Sequence, residues 1–126
     1  MDEVDFREYV ARFNERDYEG FGDYYAEDVV FELGDRKRIE GRDAILDFYR
    51  EVHERVEESL AVEWVAVGDD GLAAELTTEF RATEDWDDFV GGPIREGESI
   101  RFVSFVHYRV DDGRFTRVKS ARFKAL

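Results

Sequence analysis

Residues 99–124 read SIRFVSFVHYRVDDGRFTRVKSARFK, two long runs rich in β-branched and aromatic residues on either side of a DDG turn signal. That pattern predicts an antiparallel hairpin, Ser99 to Val110 against Arg114 to Lys124. Side chains alternate along a strand, so Val103, Phe105, His107 and Arg109 share one face while Phe102, Ser104, Val106 and Tyr108 share the other. Both faces are largely apolar, which predicts a sheet covered on both sides. A second hairpin precedes it, with Leu60 to Val67 and Leu72 to Thr83 flanking GDDG at 68–71. Between the hairpins lies Glu84 to Glu98, which holds Trp86, Phe89, Gly91, Gly92 and the only proline, Pro93. A loop of that length with two aromatics usually has a task.

Upstream, the period changes from two to three and four. Phe6, Tyr9, Val10 and Phe13 mark one face of a helix that begins near residues 2–5. Asp17 is a fitting N-cap for a second helix with a stripe of Tyr18, Phe21, Tyr24 and Tyr25, ending before Asp28. Val29 to Leu33 reads as a short strand and Gly34 to Glu40 as a polar turn. Gly41 opens the longest helix, in which Ala44, Ile45, Phe48, Tyr49, Val52 and Val56 lie on one face. The expectation is a single α+β domain over residues 1–126.

Composition narrows the functions. A chain of 126 residues that is 43% hydrophobic supports one sizeable core and no second domain. No apolar run is long enough to span a bilayer, and the start MDEVDF lacks the basic and apolar segments of a secretory signal, which together read as cytoplasmic. The absence of Cys removes thiolate nucleophiles and thiolate metal sites. A net charge of -14 repels nucleic acid and anionic membranes, so neither is an expected partner. The 15 Arg, 3 Lys and abundant acids resemble the composition of salt-accumulating halophiles; an ordinary acidic protein is the alternative.

The order of elements, together with DYEGFGDYYAEDVVFEL at 17–33, IEGRDAILDFYREV at 39–52 and VHYRVDDGRFTRV at 106–118, resembles the NTF2-like superfamily. Within it the likeness is to the SnoaL-like group of polyketide cyclases and ketosteroid isomerases, and it covers nearly the whole chain. It implies a cone: three N-terminal helices packed on a strongly curved antiparallel sheet around an apolar pocket, commonly in a homodimer formed through the sheet. Tyr9 falls where those isomerases carry an oxyanion-binding Tyr. Their general-base Asp falls on Leu33 and their protonated Asp on Phe105, so isomerase chemistry by that route is rejected.

The resemblance places Glu75, Thr77 and Glu79 on the concave face, with Ala74, Leu76 and Phe80 opposite. A carboxylate among aromatics is pushed toward the range useful for proton transfer unless a cation restores its charge. Arg122, inward with Val118 and Ser120, is that candidate cation. His107 points inward by the same resemblance, and His53 lies near the edge of the long helix's apolar face. The alternatives stay open: a structural Glu–Arg pair, histidines satisfied by neighbours, or the opposite strand face lining the cone. Scytalone-dehydratase-like relatives use two histidines with tyrosines and a carboxylate, but the likeness to them is limited to residue types. Phe31, Phe48, Val52, Trp64, Phe105 and Val118 are expected to line the pocket, one of Tyr24 and Tyr25 to offer it a phenol, and Trp86 and Phe89 to close its mouth.

No metal site is expected, because two distant histidines lack further spaced ligands and EDWDD at 84–88 lacks the Gly and Glu of an EF-hand. No dinucleotide or phosphate loop and no covalent nucleophile motif occurs, so no cofactor is expected. Three functions remain. One is a cofactor-independent cyclase, isomerase or dehydratase of a small hydrophobic carbonyl compound, with Glu75 or His107 moving the proton and Tyr9 and Arg122 stabilising the oxyanion. The others are a non-catalytic binder of an apolar molecule and a dimeric scaffold whose cone is filled by its own aromatics.

Overall fold

Asp2 accepts a hydrogen bond from the Asp5 N–H while the Asp5 side chain accepts one from the Asp2 N–H. This capping box starts α1 (Glu3–Asn14) in the computed structural model, which describes residues Met1–Leu126. Asp17 caps α2 (Tyr18–Gly22) through the Gly20 N–H. The chain continues as β1 (Tyr25–Leu33), β2 (Lys37–Glu40), α3 (Arg42–Arg55), β3 (Val56–Val67), β4 (Gly71–Ala82), β5 (Ser99–Asp111) and β6 (Arg114–Ala125). The strands form one sheet in the order β2-β1-β6-β5-β4-β3, antiparallel throughout except for the parallel pair β1–β6. The result is a helix cluster on a curved, unclosed sheet, as the α+β reading expects.

Three boundaries differ from the sequence reading. The second helix is a single turn and Tyr25 already belongs to β1, because the apolar residues at 24–25 are used by the sheet. The segment read as a polar turn contains β2, whose only inward apolar residue, Ile39, sits opposite Phe31 and is too short a pattern to read as a strand. Strand β3 leaves α3 directly at Val56, where the backbone becomes extended, four residues earlier than the hairpin pattern suggested.

The core forms where the helices meet the concave face. Phe6, Phe13, Phe21, Tyr25, Ile45 and Phe115 are fully buried, each adding about 1.5–3 kcal/mol through area removed from water. In β4 the buried set is Leu72, Ala74, Leu76, Thr78, Phe80 and Ala82, and in β5 it includes Phe102, Ser104, Val106 and Tyr108. Glu75, Thr77, Glu79, Phe105 and His107 therefore occupy the outer, convex face, opposite to their expected placement. The more apolar set buries against the helices because that removes more carbon from water. Trp64 is also on the convex side. The β3–β4 register shifts between Val62 and Trp64, and this bulge turns Trp64 out of the inward series Val56, Glu58, Leu60 and leaves it 56% exposed.

Candidate functional site

Between the helices and the concave face lies a hollow of about 100 Å³, enough for a small molecule or several waters. Phe31, Phe48 and Val52 line it from β1 and α3, Leu76, Val106 and Val118 from the sheet, and Phe89 and Val90 from the loop between β4 and β5. The loop folds back through the Trp86–Ile94 bridge, and Trp86 stacks on Phe89 at 4.9 Å with the Arg55 guanidinium 4.8 Å from the indole.

The polar groups of this hollow are mostly not the ones singled out in the sequence. Glu58, on the inward set of β3, lines it with only 8% of the residue exposed. Its Oε1 is 3.1 Å from His53 Nε2, and His53 Nδ1 is 2.7 Å from the Tyr18 hydroxyl. With Nε2 protonated and Nδ1 bare, Tyr18 donates to the imidazole and the imidazole donates to Glu58, so every member has a partner. Phe13 packs edge-on against the His53 ring and Tyr49 stacks on it at 5.8 Å.

The end of α1 brackets β3 around this carboxylate. Asn14 donates to the Leu60 carbonyl and accepts from the Leu60 N–H, both at 2.9 Å, while Arg16 donates to the Glu58 carbonyl. Arg16 holds a left-handed backbone conformation, φ 63°, to make that reach. The hairpin pattern places the start of β3 at Leu60, so Glu58 lies just outside the strand that the sequence predicts. Extending the alternation Leu60, Val62 backwards by two residues reaches it, flanked by Val56 on the same face.

Three of the four buried phenols lie in the wall of the hollow. Tyr9, Tyr49 and Tyr108 line it, and the hydroxyl of Tyr9 pairs with that of Tyr25 at 2.5 Å. Burial raises Tyr9, Tyr25 and Tyr49 well above the ordinary phenol range, and the nearby Glu58 charge adds to each; burial alone raises Tyr108. These side chains are neutral hydrogen-bond donors at any physiological pH. Such donors in a water-poor hollow can hold a negative charge that develops on a bound oxygen.

The remaining expected site residues disperse. Glu75 and His107 border a groove on the convex face with Trp64 and Phe105. Thr77 donates to Glu63 at 2.9 Å, and Glu79 lies 3.4 Å from Arg101. Tyr24 sits outside the hollow beside Arg12 and Arg114, and Tyr25 is buried in the core against the Tyr9 hydroxyl, so neither offers the hollow a phenol. Arg122 is one residue out of register with Glu75 and lies over the Phe102 ring, 3.8 Å from its centre. The Glu75–Arg122 pair does not form, because those two residues project from opposite faces of the sheet. No three His, Asp or Glu side chains converge as metal ligands, and the acidic loop residues Asp85 and Asp87 are paired with Arg95.

A family model described as the SnoaL-like domain matches residues 6–118. The chain belongs to this family. Solved structures agree with the fold of this SnoaL-like domain. A candidate polyketide cyclase from Xanthomonas campestris pv. campestris is 25% identical, with TM-score 0.79, over 93% of this chain and 86% of that one. A candidate ketosteroid isomerase from Kribbella flavida is 26% identical, with TM-score 0.73, over 98% of this chain and 78% of that one. An epoxide hydrolase from M. tuberculosis is 16% identical, with TM-score 0.77, over 95% and 80% of the two chains, and shares the fold. No curated protein sequence matches the SnoaL-like domain described here. No helix of it is long and apolar enough to cross a membrane.

Proposed function

We propose that this SnoaL-like domain is a cofactor-independent acid–base catalyst that isomerises, cyclises or dehydrates a small apolar carbonyl compound. The observation that carries this reading is Glu58, a buried carboxylate bordering an apolar hollow and oriented by His53. In this scheme Glu58 takes a proton from the carbon next to the substrate carbonyl. The C–H electron pair moves to form the enolate, and the oxygen gains its charge against phenol donors of the Tyr9, Tyr49, Tyr108 group. The proton then returns to another carbon or assists departure of a hydroxyl as water. His53 donates to the spectator oxygen of Glu58 throughout, keeping the reactive one aimed at the hollow. Glu58 thus takes the role that Glu75 and His107 were expected to play.

Deuterium exchange into the α-position of acetophenone, followed by NMR in heavy water, tests this without knowledge of the natural substrate. Exchange above the buffer rate is expected for the wild type, falling by about 100-fold or more in E58Q. Equal exchange in both proteins would remove Glu58 from the chemistry. The predominantly apolar lining favours a second reading, an apolar-ligand binder, in which the ketone binds and no exchange occurs.

For the convex face the proposed partner is a second copy of this chain. Trp64, Phe105 and Phe123 are 56%, 46% and 59% exposed, and Phe105 stacks on Phe123 at 4.8 Å, which puts three aromatic side chains on one open face. Glu75 lies in the same groove as His107 and Lys119, so a two-fold axis through the patch sets opposite charges against each other.

A further inference from the structure

The hollow continues into a recess of about 80 Å³ at the edge of the cone, and Leu33, Phe80, Val90, Phe102, Ser104 and Ser120 line both. Arg36 and Arg122 are the charged residues of that recess, and no acidic residue lines it. Each arginine makes one hydrogen bond to the backbone of the loop between β4 and β5: Arg36 to the Val90 carbonyl at 3.1 Å, Arg122 to the Gly91 carbonyl at 3.5 Å. A guanidinium has five N–H donors, so most of the donors on each remain available. Neither guanidinium has a carboxylate within ion-pair distance. Partial burial disfavours the charge on Arg122, and the nearby Arg36 cation adds to that effect.

Two guanidinium groups with no carboxylate partner face one recess, and both side chains also reach solvent, which keeps their mutual repulsion small. In a chain carrying -14 net charge, acidic partners for them are abundant, yet none is placed here. We propose that Arg36 and Arg122 form an anion subsite at the mouth of the hollow, so that the molecule bound inside carries a carboxylate at the end remote from its reacting carbonyl. This rests on the reading of the hollow as a carbonyl-compound site and specifies its substrate class as keto acids. The subsite lies on β6 and the β1–β2 turn and Glu58 on β3, three strand spacings or about 14 Å across the sheet, with a further offset along the strands because Arg122 is level with Ser104, Leu76 and Val62. The side chains of Arg36 and Arg122 line the recess and that of Glu58 lines the hollow joined to it, and the carbon chain of a keto acid bridges the gap left between them. Arg36 and Arg122 supply bidentate donors of the kind that match a carboxylate, and the Phe102 ring under Arg122 fixes the plane of its fork.

The test uses two probes, γ-benzoylbutyrate, an aryl ketone with a terminal carboxylate, and its primary amide, which has the same shape without the charge. Calorimetric titration of the wild type is expected to give at least tenfold tighter binding of the acid than of the amide. R36Q/R122Q should bind both with the affinity of the amide, and R36K/R122K, which keeps the charges, should retain part of the preference. In ligand titrations followed by NMR, the side-chain Nε–H signals of Arg36 and Arg122 should shift with the acid and stay in place with the amide. Equal affinity of the two probes for the wild type, or a preference that survives R36Q/R122Q, overturns the anion subsite while leaving the hollow as a ketone site. Failure of both probes to bind overturns the reading of the hollow, and the subsite with it.

Discussion

His53 Nε2 lies 3.1 Å from Glu58 Oε1, with 4% and 8% of the two side chains exposed. A buried carboxylate left without its donor loses the partner that compensates its desolvation. H53A is therefore expected to lower stability by about 1–3 kcal/mol, and Y18F, which removes the outer link, by about 1 kcal/mol. Urea denaturation measures both. A loss in H53A no larger than that of an exposed substitution would mean that the imidazole does not hold Glu58.

The Tyr9–Tyr25 phenol pair and the raised values of Tyr49 and Tyr108 give an alkaline prediction. Each group binds its proton more tightly folded than unfolded. The associated stability is fully present below the ordinary phenol value of 10.0 and is lost as pH rises beyond it. Tyrosinate absorbance and far-ultraviolet circular dichroism are expected to change together in one cooperative step at high pH. Four tyrosines ionising gradually while the circular dichroism holds would contradict the buried cluster.

Asn14 ties α1 to β3 by two hydrogen bonds to Leu60, flanking the strand position that carries Glu58. N14A is expected to cost about 1–3 kcal/mol, the range for losing such bonds. It should also slow deuterium exchange into acetophenone, because Glu58 loses part of its bracket. Equal stability of N14A and wild type in urea would show the clamp to be dispensable.

The stacked Phe105–Phe123 pair gives a test of the proposed dimer. F105D places a charge in the middle of the convex patch, against its two-fold copy, and sedimentation equilibrium should show monomer for F105D and dimer for wild type. A monomeric wild type rules out that use of the face.

The acid limb depends on Glu32, whose carboxylate is held below its ordinary range chiefly by a 2.6 Å hydrogen bond from Arg117, helped by Arg38 and Lys119. A lowered folded value contributes stability that is present above the ordinary value of 4.5 and is lost as pH falls through the folded one. E32Q is expected to be less stable than wild type at neutral pH and to converge with it in acid. Parallel acid unfolding curves would show that the pair contributes nothing to the pH dependence.

Much of this molecule is written in local periodicity. The three-and-four spacing of Phe6, Tyr9, Val10 and Phe13, the stripe from Ala44 to Val52 and the GDDG and DDG turns place the long helices and both hairpins, because a helix or strand must turn its apolar side to a core. The placement of Phe31, Phe48, Val52 and Val118 around the hollow follows from the same rule. Which face of β4 lines the hollow is also present in the sequence, since Leu72, Leu76 and Phe80 outweigh Glu75, Thr77 and Glu79 in apolar area. Family likeness pointed the other way, and the alternation was the better guide. Three features belong to the tertiary structure alone. The bulge after Val62 that expels Trp64 depends on pairing with β4, a contact no local pattern records. The Tyr18–His53–Glu58 chain joins α2, α3 and β3, whose side chains meet only after the helices close over the sheet. Arg36 and Arg122 are 86 positions apart in sequence and become neighbours because β1 and β6 pair in parallel, carrying the β1–β2 turn beside the end of the last strand.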